Sequence, residues 1–425
     1  MKAIQESINE SLNSLIKELK PKLNTKSKIL HMFENCYRNT IETTTKFLED
    51  QTTFIFTGDI PALWLRDSSA QVRHYLPLAS SDPSIQKMIE GLIRRQLMYI
   101  RIDPYANAFN EEPNNQCWDI DKTELNPWVW ERKYEIDSLC YPLQLAYLYW
   151  KTTGKTSIFD KDFKNTIFSI LELWTIEQRH LDRSPYRFQR FNCPKTDTLR
   201  NEGRGMPVNY TGMTWSGFRP SDDACTFGYL IPSNMFAVVV LEYIEELAKT
   251  IYGDDYLASK ASKLRNEIED GINTYGIYNH PKYGKIYAYE TDGFGNYNLM
   301  DDANVPSLLS IPYLGYRKAD DSIYQNTRRF ILSTQNPWFY EGKVAKGIGS
   351  PHTPKNYIWH IGLIMQGLTS NDKQEINDIL NTLEQTDGDT GLMHEGFNCN
   401  NPYEFTRPWF AWANSLFCEF ILKKI

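Results

Sequence analysis

Long apolar segments are missing from the 425-residue sequence. No stretch approaches the roughly 18 consecutive apolar residues of a membrane-spanning helix. The N-terminal segment MKAIQESINESLNSLIKELK is polar and helical in period, and it lacks the apolar core and cleavage site of a secretory signal. We therefore expect a cytoplasmic protein that makes no membrane contact.

Cysteine and histidine show none of the spacings that bind metals or form disulfide frameworks. The seven cysteines are odd in number and contain no CxxC pair, so free thiols are expected. The seven histidines contain no HExxH pair, which argues against a zinc site. Because a P-loop and a G-x-S-x-G elbow are also missing, the sequence predicts neither a metal nor another cofactor.

A surplus of basic residues is also missing. The 46 Lys and Arg residues face 53 Asp and Glu residues, which gives a formal charge of −7 and argues against a nucleic-acid partner. Aromatic residues, in contrast, are abundant at 14% of the chain. This is more than a core of this size needs, so we expect some of them to serve a binding site.

Strand-like alternation is sparse, and apolar residues recur at helical spacing through most of the chain. The periods and the breaks between them predict helices near 4–20, 27–48, 67–79, 83–102, 134–153, 160–179, 231–252, 254–273, 303–315, 319–333, 356–369, 371–386 and 407–423. The sequence therefore predicts an all-α protein.

The links between these helices alternate in length. Those at 80–82, 154–159, 253, 316–318 and 370 are short, whereas the intervening ones are long. Because short links make antiparallel helix pairs, every long loop should emerge at the same end of the molecule. We predict one domain over 1–425, an (α/α)6 toroid of six helical hairpins with the functional site among the long loops.

The long loops mix aromatic residues with carboxylates. Examples are TGDIPALWLRDSSAQ at 57–71, NPWVWERKYEIDS at 126–138 and YTGMTWSGFRPSDDA at 210–224. Flat aromatic faces beside acidic and basic groups suit the apolar faces and hydroxyl edges of a sugar. The alternative for any one tryptophan is packing on a helix end. Asp59, Arg66 and Asp67 are either a structural ion pair or a group that grips vicinal hydroxyls.

Paired carboxylates are the candidates for chemistry, because glycoside hydrolysis needs one protonated acid and one ionised carboxylate. Asp222 and Asp223 form one cluster in RPSDDA, and Glu395 in MHEGF is the second candidate. Other acidic groups of the loops stay open at this point: Asp301, Asp302, Glu131, Glu135 and Asp137. An isolated Asp-Asp pair is more often a solvated turn or a helix cap.

Six ordered blocks between residues 57 and 414 resemble glycoside hydrolase family 125. They are TGDIPALWLRDSSAQ, NPWVWERKYEIDSL, GMTWSGFRPSDDACTFGYLIPSN, YNLMDDANVPSLL, GIGSPHTP with YIWH, and MHEGFN with NPYEFTRPWFAWAN. The resemblance implies an (α/α)6 toroid and a bacterial, metal-independent, inverting exo-α-1,6-mannosidase acting on mannosides and N-glycan-type oligosaccharides.

The resemblance also implies roles for particular residues. Asp222 would be the general acid, in preference to Asp223, and Glu395 the general base. Arg66, Asp67, Asp302 and His352 lie in matching blocks and are the candidates for holding the terminal mannose. The composition of the loops adds Trp64, Trp130, Trp215 and Arg219 as sugar-binding candidates.

Two other functions remain open at the level of sequence. A sugar epimerase or isomerase on the same toroid would use His352 and His394 to move a proton. A glycan-binding module without catalysis would use only the aromatic loops.

Overall fold

The computed structural model describes residues 2–23 and 26–425. Its α-helices are α1 Lys2–Leu19, α2 Ser27–Asn39, α3 Leu65–Arg73, α4 Leu76–Ala79, α5 Pro83–Ile102, α6 Ile136–Thr153, α7 Lys161–Glu177, α8 His180–Arg183, α9 Arg200–Gly203, α10 Ile231–Leu247, α11 Asp255–Tyr275, α12 Ile311–Leu314, α13 Ser322–Ile331, α14 His360–Leu368, α15 Lys373–Gln385 and α16 Ala411–Lys424.

Short antiparallel strands lie between the helices. They are β1 Thr45–Phe47, β2 Thr53–Ile55, β3 Leu63–Trp64, β4 Ala108–Phe109, β5 Val129–Glu131, β6 Tyr229–Leu230, β7 Ile277–His280, β8 Gly284–Tyr287, β9 Glu290–Thr291, β10 Tyr297–Asn298, β11 Phe339–Glu341, β12 Lys346–Ile348, β13 Tyr357–Trp359, β14 Gly396–Asn398 and β15 Asn401–Thr406. They form sheets of two or three strands, such as β3-β4-β5 and β13-β14-β15.

The helices form two concentric layers. In the inner layer α3 packs on α6, α6 on α10, α10 on α12, and α14 on α16, which returns to α3. The outer helices α5, α7, α11, α13 and α15 follow their inner partners along the chain. Helix α2, near the N-terminus, packs on α16 at the C-terminal end of the chain, so the two ends of the chain meet. The prediction of an all-α toroid is confirmed.

Inner and outer helices differ in how they begin. The outer helices α5, α7, α11, α13 and α15 each follow an aspartate whose side chain accepts a hydrogen bond from a first-turn N–H group: Asp82, Asp160, Asp254, Asp321 and Asp372. Such caps satisfy donors that the helix itself cannot satisfy. The short links therefore end in strong helix-start signals, which explains why they could be located in the sequence.

Most inner helices instead begin from extended backbone. Strands β3, β6 and β13 run directly into α3, α10 and α14. These helices are buried more completely than the outer ones, and every residue from Ile231 to Leu241 of α10 is buried. The long loops consequently meet where the N-termini of the inner helices converge. The partial positive charge of a helix N-terminus favours carboxylates there.

Three predicted helices are wrong in part, in addition to 67–79, which divides into α3 and α4, and 407–423, which begins only at Ala411. The 27–48 helix ends at Asn39, followed by a π-helical turn and β1, because the hydroxyls of Thr44 and Thr45 bond back to the Thr40 carbonyl at 3.1 and 2.9 Å. The 356–369 helix begins only at His360, since 357–359 pairs with β14.

The third helix, predicted over 303–315, shrinks to the single turn α12. Asp301 accepts hydrogen bonds from the Leu308 and Leu309 N–H groups at 2.8 and 3.0 Å, and Ser307 and Ser310 bond each other's main chain. These side chains offer the backbone a stable alternative to a helix. The described part of the chain also contains no helix with both the length and the apolar character needed to cross a bilayer.

The aspartate caps give a stability test. Asp321 accepts from the Tyr324 N–H at 2.8 Å at the start of α13. We expect Asp321→Ala to lower the free energy of unfolding by about 1 kcal/mol, the usual value of such a cap. The urea midpoint measures this, with Asp320→Ala at the neighbouring exposed position as control. Equal midpoints for the two variants would contradict the capping role.

Candidate active site

A pocket of about 380 Å³ opens where the inner helices begin. Its wall combines carboxylates, cations and aromatic rings from several long loops: Thr57, Ile60, Trp64, Arg66, Asp67, Pro220, Ser221, Asp222, Asn304, His352, Trp359, Glu395, Arg407, Phe410 and Trp412.

A wider outer cleft of about 980 Å³ adjoins this pocket. The two share part of their walls: Ile60, Trp64, Asp222, His352 and Arg407. The outer cleft adds Trp118, whose surface is 61% exposed, together with Asp59, Lys133 and Asp197. A molecule held in the inner pocket can therefore extend outward past Asp222.

Arg66, in the first turn of α3, is the centre of the buried charge network. Its Nη1 donates to Glu135 at 2.5 Å and to Asp137 at 3.1 Å, and its Nη2 donates to Asp222 at 3.2 Å. Its Nε lies 3.5 Å from Asp67. Four carboxyl groups thus surround one guanidinium group, so full ionisation would place four negative charges around a single Arg66 cation.

Burial and mutual repulsion consequently keep protons on this cluster. Burial, assisted by the charges of Asp222 and Asp137, raises the pKa of Glu135 well above its usual range in spite of Arg66. Burial also raises the pKa of Asp67 to about 6. Burial opposes ionisation of Asp222 too, but Arg66 and Lys133 outweigh it and lower the pKa of Asp222 to about 2.

Asp222 is held in an unusual backbone conformation. Its φ is +66°, the left-handed region that few non-glycine residues adopt. The Lys133 ammonium donates to the Asp222 carbonyl oxygen at 2.8 Å, and the Asn107 amide donates to the carboxylate at 3.3 Å. The Asp222 side chain is 26% exposed, in the pocket wall, whereas that of Asp223 is 6% exposed. Backbone strain of this kind is typical of functional positions.

Glu395 reaches the same pocket from the residue before β14. Its carboxylate lies 3.6 Å from the Arg407 guanidinium, which also lies 3.5 Å from Asp59. Arg407 stacks over Phe410 at 5.1 Å from the ring centre. Asp222 and Glu395 therefore line one pocket although 173 positions (395 − 222) separate them in the sequence.

His352 contacts a carboxylate in the pocket wall. Its Nδ1 lies 3.4 Å from Asp223. Burial lowers its pKa, but the hydrogen bond to Asp223 and the charges of Asp223, Glu395 and Asp222 outweigh burial and raise the pKa to about 9. A protonated imidazole in the pocket wall donates hydrogen bonds to hydroxyl groups.

Other sequence-predicted residues lie behind the pocket wall. Trp130 packs against Trp64, Ala62 and Ala108 and is 9% exposed, so it supports the pocket residue Trp64. Asp302 is fully buried, and its Oδ1 accepts from the Asn304 N–H and side-chain amide at 3.3 and 3.2 Å. Asn304, two positions further on, is the residue that lines the pocket.

Trp215 and Arg219 anchor the segment that carries Asp222. Trp215 is 1% exposed and stacks on His180 with 3.5 Å between ring centres. A methyl group on Gly228 would stand 2.0 Å from its indole nitrogen, so the segment closes tightly over this ring. Arg219 donates to the buried Glu290 at 2.6 Å. Neither side chain lines the pocket. Both are buried and support the segment from behind.

Several pocket residues were not among the sequence candidates. They are Thr57, Ile60, Pro220, Ser221, Asn304, Trp359, Arg407, Phe410 and Trp412. Most of them fall within the aromatic and acidic blocks of the sequence, such as YIWH and RPWFAW. The blocks therefore located the site, but which side of each block faces the pocket depends on the chain geometry.

His394 does not reach the pocket. Both ring nitrogens lie 3.0 Å from main-chain carbonyl oxygens, those of Arg407 and Asp387, and the ring stacks on Phe405. It therefore has no free nitrogen to exchange a proton with a ligand. Within residues 2–23 and 26–425, we find no cluster of three or more His, Cys, Asp or Glu side chains arranged to hold a metal ion.

The chain has extensive similarity to known proteins. The profile of the metal-independent α-mannosidases, glycoside hydrolase family 125, matches residues 26–422. The meiotically up-regulated gene 157 protein of Schizosaccharomyces pombe is 41% identical over 436 residues, which covers 97% of this chain and 85% of that protein. Since this relative comes from a yeast, resemblance to the family does not imply a bacterial source.

Two solved structures also resemble this chain. A Streptococcus pneumoniae metal-independent α-mannosidase, in a non-productive complex with α-1,6-mannobiose, is 50% identical over 98% of each chain, with a TM-score of 0.95. A family 78 rhamnosidase of Bacillus sp. GL1 is 15% identical over 94% of this chain and 35% of that one, with a TM-score of 0.56, and shares the fold alone. The chain belongs to glycoside hydrolase family 125, the metal-independent α-mannosidases, and has their (α/α)6 fold.

Proposed function

We propose that the protein is an inverting exo-α-1,6-mannosidase that removes terminal mannose from mannosides and N-glycan-type oligosaccharides. The observation that carries the proposal is the presence of Asp222 and Glu395 in the wall of one small pocket. The α-1,6-mannobiose bound by the Streptococcus pneumoniae relative supports the choice of sugar and linkage.

In this mechanism Asp222 is the general acid. It transfers its proton to the glycosidic oxygen as the bond from the sugar C1 breaks, and the electron pair of that bond stays on the leaving oxygen. Asp222 lies on the boundary between the inner pocket and the outer cleft, which is where a glycosidic oxygen joins the terminal sugar to its leaving group. Asp223, turned toward His352, is less well placed.

Glu395 is the general base. It accepts a proton from a water molecule that attacks C1 from the face opposite the leaving group, which inverts the anomeric centre. Its carboxylate lies in the pocket wall, 3.6 Å from the Arg407 guanidinium.

The remaining pocket residues bind the terminal mannose. Arg66, Asp67, Asn304 and His352 offer charged or amide groups to its hydroxyls, and Trp64 offers an apolar face. The outer cleft receives the rest of the glycan, with the exposed Trp118 at its side. A small pocket that opens into a wider cleft suits removal of a single sugar from a chain end.

The alternatives have less support. An epimerase using His352 and His394 requires both imidazoles at the ligand, but both nitrogens of His394 face main-chain carbonyls. Turnover of a mannoside would separate the hydrolase from a glycan-binding module.

Replacing the acid tests the first role. We expect Asp222→Asn to lower kcat/KM for α-1,6-mannobiose by about 10²–10⁴-fold, the usual contribution of general acid catalysis. Hydrolysis of a dinitrophenyl α-mannoside should be largely spared, because its leaving group needs little protonation. Steady-state kinetics on both substrates measure this. The same leaving-group dependence in Asp223→Asn instead would make Asp223 the acid.

Replacing the base should have a different signature. We expect Glu395→Gln to lose activity on both substrates by a similar factor, since water activation does not depend on the leaving group. The same kinetic assay measures the two factors. A selective loss on mannobiose would assign Glu395 to proton donation and contradict the proposed roles.

The contact between His352 and Asp223 predicts a pH-dependent stability. The folded state raises the pKa of His352 from 6.5 to about 9, so the contact stabilises fully below pH 6.5 and its contribution is lost as pH rises through 9. The free energy of unfolding of the wild type, relative to His352→Gln, should therefore fall between pH 6.5 and 9. Urea titrations across this range test it, and a difference independent of pH would contradict the cationic state.

A further inference from the structure

The carboxyl group of Glu135 lies directly behind Asp222. The two groups are within hydrogen-bonding reach of each other, and both contact the Arg66 guanidinium. The Glu135 side chain is fully buried, whereas the Asp222 side chain is partly exposed in the pocket. One member of the pair is thus internal and the other is exposed to a ligand.

Only one of the two carboxyl oxygens of Glu135 accepts hydrogen bonds from the described residues. Its Oε2 accepts from Arg66 at 2.5 Å and from the Ser138 hydroxyl at 2.7 Å. Its Oε1 is buried and has no hydrogen-bond partner among the described residues. A buried carboxylate oxygen without a donor is costly, whereas a protonated oxygen could itself donate to a neighbouring carboxylate.

Two carboxyl groups this close behave as a pair. When both are ionised they repel, so the last proton of the pair is released at a raised pH and belongs to neither residue alone. Asp222 by itself is surrounded by groups that favour its ionised form, namely Arg66, Lys133 and Asn107. A general acid at this position therefore needs a neighbouring group that keeps a proton available to it.

We propose that Glu135 is a positioning residue that shares one proton with Asp222 and so maintains Asp222 as a competent general acid. This inference rests on the function proposed above. In the open pocket the proton lies on the Glu135 side of the pair. When a sugar covers Asp222 and removes water from it, the ionised form of Asp222 loses solvation and the proton moves to Asp222.

The proton count over one turnover balances. The pair gives one proton to the glycosidic oxygen through Asp222, and Glu395 takes one from the attacking water. Afterwards Glu395 releases its proton to solvent and the pair takes one up. Glu135 never touches the substrate.

The surroundings of Glu135 agree with this arrangement, since burial and the charge of Asp222 raise its pKa. Charged and titratable groups face the pair from each neighbouring element: Arg66, Asp67, Lys133, Asp137, Cys225 and His352. The test must therefore separate loss of the shared proton from a general change in charge.

Asp137 supplies the matched control. It also accepts from the Arg66 Nη1, at 3.1 Å, and it is also fully buried, but its second oxygen accepts from Ser233 at 3.3 Å. Glu135→Gln and Asp137→Asn each replace one buried carboxyl group beside Arg66 with an amide of the same shape. Only the first removes a carboxyl group within reach of Asp222.

The experiment measures kcat/KM against pH for α-1,6-mannobiose and for a dinitrophenyl α-mannoside. We expect Glu135→Gln to move the alkaline limb of the kcat/KM profile for mannobiose to lower pH by about one pH unit or more. At a pH above the limb, kcat/KM then falls by about tenfold. The dinitrophenyl substrate should change much less. Asp137→Asn should affect both substrates by a similar factor and leave the limb in place. A similar loss on both substrates in Glu135→Gln, with an unmoved limb, overturns the inference.

Ser138→Ala gives an independent test with the opposite sign. Its hydroxyl donates to Glu135, which favours the ionised carboxylate, so removing it should strengthen proton retention by the pair. The alkaline limb should then move to higher pH. A limb that stays in place or moves toward acid overturns the inference, even if Glu135→Gln does not fold. Failure of the wild type to hydrolyse either mannoside would instead overturn the proposed function.

Discussion

The buried guanidinium of Arg66 is the interaction on which the site depends. It joins the first turn of α3 to Glu135 and Asp137 at the start of α6 and to Asp222 on the segment before α10. With Asp67 beside it, four carboxyl groups share one cation, so the cluster cannot be fully ionised without a large cost. The same contacts that hold the loops together therefore also set which groups carry protons in the pocket.

The ring architecture explains why such a cluster is tolerated. Inner helices begin at the mouth of the toroid, and their N-termini bring partial positive charge to the place where the acidic residues gather. The outer helices begin with aspartate caps at the short links, so the scaffold is stabilised away from the site. The aspartate caps and the pocket residues thus occupy separate parts of the fold. The long loops carry the pocket residues and are held by their small sheets.

Helix periods and link lengths were sufficient to predict the toroid, because both reflect local rules of burial and capping. They failed where side chains competed with the helix, as in the segment before α12, and where residues 357–359 paired with a strand distant in sequence. In the site, residue types and motifs located the acidic and aromatic blocks. They could not separate Trp64, which lines the pocket, from Trp215, which is buried behind it, because that difference depends on which way each loop turns. The one-sided hydrogen bonding of Glu135 is equally invisible in sequence.

The stereochemistry of the product tests the account most directly. The proposed roles of Asp222 and Glu395 require direct attack by water on the face opposite the leaving group. A proton NMR time course on α-1,6-mannobiose, with a chelator present, shows which anomer of mannose is released before mutarotation. The account predicts that β-mannose appears first. Early release of α-mannose would mean a retaining mechanism and would contradict the assignment of Glu395 as a base.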